Sequence, residues 1–124
     1  MDAAKTLAAG LAVNRTLFGA NYLIKPKQAR ISWIGRAAKK PGAQVMIRSQ
    51  GARDVALGAG ALQAVVRNGE LRPWMLAHAL ADVVDLVATW VARDDLPKRR
   101  AKLALAVAGG SAAVATAAAA TARR

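Results

Sequence analysis

Six fully charged side chains sit inside stretches otherwise built largely of Ala, Val, Leu and Gly. They are Arg15, Arg48, Arg53, Asp54, Asp82 and Asp85, with Asn14 and His78 close by. An isolated charge in hydrocarbon costs at least about 2.5 to 3.5 kcal/mol on insertion scales, so residues of this kind turn inward and pair. His78, Asp82, Asp85 and Thr89 follow spacings of four, three and four, which places them along one face of a helix. The expected arrangement is a buried network. Arg15 and Arg53 pair with Asp82 and Asp85, while Asp54 pairs with Arg48 or with Arg15. Such a network has two readings. Read structurally, ion pairs fix helix order and register, and losing one partner strands a charge. Read functionally, carboxylates and a histidine within a membrane mark proton relays, ligand pockets or ion paths.

Other chemistries find little support. The chain has no Cys and one His, which removes disulfides, thiol catalysis, a protein-only zinc site and a haem held by two histidines. No phosphate loop, dinucleotide fingerprint or nucleophile motif occurs. Ser111, beside Gly109-Gly110, has no acid or His near it in sequence and reads as helix packing. The expectation is a chain without catalytic residues, metal or cofactor.

Four helices have to position these charges. The first is expected over residues 3–24, capped by Asp2 and ended by Lys25-Pro26. The second is expected over 43–67, closed by Asn68-Gly69. The third runs over 73–93, with Pro73 as a good first residue and Asp94-Asp95-Leu96-Pro97 as its break. The fourth covers 98–122 and holds an uncharged run from Leu103 to Ala122. Helices of this length span about 30 to 38 Å, enough to cross a hydrocarbon core with some tilt. Counted from one end of the bundle, Arg15, Arg53, Asp82 and Asp85 all fall about 12 to 16 Å deep, in one layer. On the second helix Ala52, Ala56, Ala59 and Gly60 form a small-residue track suited to close helix contact.

The fold expected is therefore all-α: one integral membrane four-helix bundle made of the whole chain, 1–124. A soluble bundle is the alternative, supported by a mean hydropathy of only +0.21. Each helix of a soluble bundle has to offer a solvated polar face, and Leu103–Ala122 offers only Ser111, Thr116 and Thr121. Charge points the same way. The 19 Lys and Arg against 7 Asp and Glu give a formal +12, which in a soluble domain suggests nucleic acid. Here the cations cluster between apolar stretches: Lys25, Lys27, Arg30, Arg36, Lys39 and Lys40, then Arg93, Lys98, Arg99, Arg100 and Lys102. Basic connections of this kind face the cytoplasm, so both termini are expected outside. Residues 25–42 read as a basic cytoplasmic loop against anionic headgroups, with Ile31-Ser32-Trp33-Ile34 lying in the headgroup region. Tyr22, Trp33, Trp74 and Trp90 are the expected interfacial anchors. No signal peptide is evident, since Arg15 interrupts the first apolar run.

The order Arg48-Ser49-Gln50-Gly51-Ala52-Arg53-Asp54, Ala56-Leu57-Gly58, Arg72-Pro73-Trp74 and Ala81-Asp82-Val83-Val84-Asp85 resembles an uncharacterised family of small actinobacterial four-helix membrane proteins, a domain of unknown function. The resemblance spans about residues 10–95, centred on G-A-R-D-x-A-L-G. It implies an integral bundle in a bacterial plasma membrane, with no assigned reaction, substrate or cofactor.

Three functions are consistent with these residues. The first is a non-catalytic accessory or structural subunit of a larger membrane protein complex. The second is a small transporter, proton-coupled module or lipid-binding bundle that uses the Arg/Asp layer. The third, from another class, is a basic soluble protein bound to nucleic acid, with affinity falling steeply as salt rises.

Overall fold

The computed structural model describes residues 1–29 and 33–122, and among them every regular element is helical. Four long helices follow one another: α1 (Ala3–Ile24), α2 (Pro41–Val66), α3 (Arg72–Val91) and α4 (Lys98–Thr121). Asp2 caps α1, accepting from the Lys5 backbone N–H at 2.9 Å. α2 begins two residues earlier than expected, because Pro41 occupies a first-turn position where its missing N–H costs nothing. At its other end Asn68 takes a left-handed φ of 52° and Gly69 donates back to the Ala64 carbonyl at 2.8 Å, the closing bond of a Schellman cap. α3 ends at Val91, short of the expected 93, and a 3-10 turn over Arg93–Asp95 leads to Pro97 and α4.

The helices alternate in direction, each packing against its neighbours in chain order, and α4 returns to α1. The α1–α2 seam is the tightest. Ala8, Ala12, Arg15, Gly19 and Tyr22 on α1 face Ile47, Gly51, Asp54, Gly58 and Ala61 on α2, both rows stepping by alternating threes and fours. A Cβ added at Gly19 would lie 2.6 Å from the Gly51 carbonyl oxygen, and one added at Gly51 would lie 2.5 Å from that of Gly19. One added at Gly58 would lie 2.7 Å from the Ala12 carbonyl. Only glycine admits this approach of two backbones. The small-residue track expected at Ala52, Ala56 and Ala59 faces outward instead, and Gly60 is covered by the Trp74 ring. The contacting row is its neighbour on the helix, chosen because Gly51 and Gly58 meet Gly19, Ala12 and Thr16 of α1.

Two apolar clusters close the ends. Ala8, Ala12, Ala61, Ala64, Leu71, Met75, Ala118 and Ala119 fill the end near the α2–α3 turn. At the opposite end Tyr22, Ala29, Ala38 and Ile47 pack together, with Trp33, Ile34 and Ala43 against them. The described residues of the 25–42 stretch, expected as a surface loop, thus cap the bundle. Two 3-10 turns, Pro26–Gln28 and Gly35–Lys39, fold inward so that Pro26, Ala29, Gly35 and Ala38 are buried. Of the expected headgroup segment Ile31-Ser32-Trp33-Ile34, the last two residues pack against the Tyr22 cluster, and Ile31 and Ser32 lie outside the described residues, as do Arg30 and the terminal arginines.

α3 buries Met75 and Ala81 alongside three polar side chains and leaves larger aliphatic ones outside. His78, Asp82 and Thr89 are buried, whereas Leu76, Leu80, Val83, Val84 and Val87 are exposed. Among the described residues α3 and α4 are long and apolar enough to cross a membrane. Of the 18-residue stretch that makes each so apolar, only 28% in α3 and 17% in α4 is buried within the chain. A core helix of a soluble protein hides most of such a stretch. α1 and α2 fall short of that apolarity. Lys5, Asn14, Arg15 and Asn21 dilute the first, and Arg48, Arg53, Asp54 and several amides dilute the second.

Candidate functional site

Between the two apolar clusters lies a layer of charge supplied by three helices. Arg15 comes from the contact face of α1, where its guanidinium donates to Asp54 Oδ1 at 3.0 Å and, with its other terminal nitrogen, to Asp82 Oδ1. Arg53, the neighbour of Asp54 on α2, donates twice to Asp54 Oδ1, at 3.1 and 2.9 Å. It also grips Asp85 with both terminal nitrogens, at 3.1 and 2.8 Å. The result is a continuous chain, Asp82–Arg15–Asp54–Arg53–Asp85, tying α1, α2 and α3 together. The two-nitrogen grip on Asp85 is the geometry in which Arg recognises a carboxylate best. Asp54, Asp82 and Arg15 are each no more than 8% exposed, so water screens these pairs little.

α4 joins the layer through Ser111, whose hydroxyl donates to Asp82 Oδ2 at 2.6 Å. Sequence reasoning assigned Ser111 to packing. A hydroxyl in the middle of a long uncharged helix was the available signal, and its partner lies on a different helix. Trp33 is a second addition. Its indole Nε1 donates to Thr89 Oγ1 at 3.0 Å, so this expected interfacial anchor turns into the bundle.

The expected site residues separate into those the layer includes and those it leaves out. Arg48 is outside it: exposed on α2, it donates from Nε to the Leu23 carbonyl at 3.3 Å, satisfying the last turn of α1. Six residues separate Arg48 from Asp54, about 1.7 helical turns, which points the two in different directions. His78 is fully buried beside the layer without bonding to an aspartate. Its Nε2 lies 3.1 Å from the Leu57 carbonyl, and since a carbonyl only accepts, Nε2 carries the proton. Nδ1 is then a lone pair without a partner among the described residues. Of the expected anchors, Tyr22 is buried in the end cluster and Trp74 is half-buried over Gly60. Trp90 is exposed, with the Arg93 guanidinium 4.1 Å above its ring.

The layer opens on a cavity of about 250 Å³ between α1 and the α3–α4 pair. Asp54, Asp82, Asp85 and Arg15 line its floor, and Phe18, Trp33, Leu103 and Val107 line its sides. Two guanidiniums in the layer face three carboxylates, an excess of one negative charge when all are ionised. Among the described residues no group of His, Cys, Asp and Glu is arranged to hold a metal. Comparison with models of known protein families, with curated proteins and with solved structures finds no match.

Proposed function

We propose that this chain is a multi-pass integral membrane bundle serving as a non-catalytic subunit of a larger membrane protein complex. The observation that carries the reading is the dressing of α3, whose buried face mixes Met75 and Ala81 with the polar His78, Asp82 and Thr89 while its exposed face carries Leu76, Leu80, Val83, Val84 and Val87. In water that exposed face would drive aggregation, and in lipid it is at home. The basic connections, 25–42 and 93–102, then lie on the cytoplasmic side of a bacterial plasma membrane against anionic headgroups, with both termini outside.

The subunit role is supported by what the outer faces offer a neighbour. On α4 Ala106, Gly110, Ala113, Ala117 and Ala120 are all exposed in steps of four and three, the rhythm of the sealed α1–α2 seam. Ala52, Ala56 and Ala59 make a similar exposed row on α2. Without a difference in hydrophobicity between helix and lipid, small residues that let backbones approach are what drive helices together. The occupant these rows fit is a transmembrane helix of a partner carrying its own small residues. Native membranes are the place to test it. Photo-cross-linkers at Ala113 and at Ala56 are expected to capture one defined membrane partner that co-purifies in mild detergent. Labelling of lipid alone from both positions would refute the role. A chain released from membranes by carbonate would refute the bundle itself and revive the nucleic-acid alternative.

A second reading, a ligand-binding or proton-coupled bundle, is favoured by one observation, the cavity that opens on the charged layer.

A further inference from the structure

We propose that the cavity on the Arg–Asp layer binds a small monovalent organic cation: an ammonium group carrying an apolar body. The proposal deepens the second reading above and is independent of any partner subunit, because the cavity lies on this chain's own α1–α4 seam.

Charge gives the sign of the ligand. Arg15 and Arg53 face Asp54, Asp82 and Asp85, so with all five ionised the layer is one positive charge short, in surroundings where an unpaired charge is expensive. An anion, including a lipid phosphate, meets the wrong sign.

The free acceptor gives the position. Asp54 is 8% exposed and accepts all three of its guanidinium bonds on Oδ1. Its Oδ2 accepts none from the described residues, although Asp54 lines the cavity. A carboxylate accepts on both oxygens, so a buried one with an idle oxygen beside a void has room for a donor. Asn14 and Gln50 also line the cavity, their side-chain amides bonded to no described residue. They add polar partners for an N–H.

The walls give the body. Phe18, Tyr22 and Trp33 line this one cavity in a chain that has three Trp, one Tyr and one Phe in all. Aromatic faces attract ammonium groups through their quadrupoles, and more strongly away from water. With Leu103 and Val107 also in the lining, the walls suit an aryl or alkyl chain. At about 250 Å³ the space is just below that of drug-sized pockets, about 300 to 1,000 Å³, so the ligand is small.

The test is calorimetric titration of phenethylammonium into the full chain in maltoside micelles at neutral pH, beside phenethyl alcohol as the uncharged counterpart. The expected result is saturable binding at one site, with the ammonium about tenfold tighter than the alcohol or more. Asp54→Asn should weaken the ammonium by a similar factor while leaving the alcohol unchanged. Phe18→Ala lies outside the ion network and is about half-exposed, so it keeps the fold and should weaken the ammonium several-fold. Equal uptake of ammonium and alcohol, no saturable binding of either, or an unchanged ammonium affinity in Phe18→Ala would each overturn the proposal.

Discussion

α1 has two seams of opposite character. Against α2 it is sealed, with backbones so close at Gly19, Gly51 and Gly58 that a single methyl group would strike a carbonyl. Against α4 it packs closely at the end cluster, through Ala8, Ala12, Ala118 and Ala119, and stands off at the layer, where Asp82 of α3 bridges Arg15 to Ser111 beside a cavity. Glycine rows commit two helices to one register and leave no space. At the layer, charged and bulky residues hold the helices apart and leave a void beside the link. The fold uses the first seam to aim Arg15 and Asp54, and the second to give them something to face.

Breaking the link should have the largest effect. Arg15→Met leaves Asp54 and Asp82 facing each other without their shared cation and should cost about 3 to 5 kcal/mol of stability, measured by unfolding in neutral detergent. Adding Asp82→Leu to that variant should recover part of the loss, since apolar replacement of a whole buried pair is often neutral. The sealed seam comes next. Gly51→Ala forces two backbones apart and should cost about 1 to 3 kcal/mol in the same measurement. Ser111→Ala removes one hydrogen bond to a carboxylate, and a loss of about 1.5 to 3 kcal/mol is expected. The smallest effect sharpens the contrast. An added Cβ at Gly110 meets nothing within 4 Å, so Gly110→Ala should be neutral or raise stability by up to about 1 kcal/mol through helix propensity. If Gly110→Ala proved as harmful as Gly51→Ala, the exposed face of α4 would not be free in the isolated chain.

How much of this was readable in the sequence depends on whether a residue's fate is set locally. Helix ends were close to legible because caps and prolines act within a turn: Asp2, Lys25-Pro26 and Asn68-Gly69 bracket α1 and close α2. The start of α2 was misplaced only because Pro41 fits a helix's first turn as well as a loop. The four-three-four row on α3 was legible from spacing, and its members His78, Asp82 and Thr89 are buried. The contact row of α2 was not. Small residues lie on both sides of that helix, at Gly51, Gly58 and Ala61 and at Ala52, Ala56 and Ala59, and only the matching glycine on α1 decides between them. The same holds for the basic stretch, where Ala29 and Ala38 are buried against Tyr22 of α1 and Ile47 of α2. Arg48 could have been removed from the network by helical arithmetic. Ser111 and the inward turn of Trp33 depend on partners on α3, Asp82 and Thr89, which local sequence does not name.

If the bundle keeps its charges inside and its apolar faces toward lipid, single cysteines can report it directly, because the chain has none of its own. Cysteines at Leu80 and Val84 should resist a water-soluble maleimide on open membrane sheets, while one at Lys39 reacts fully. Rapid labelling at Leu80 and Val84, at the rate seen for position 39, would place those faces in water and contradict a membrane-spanning bundle.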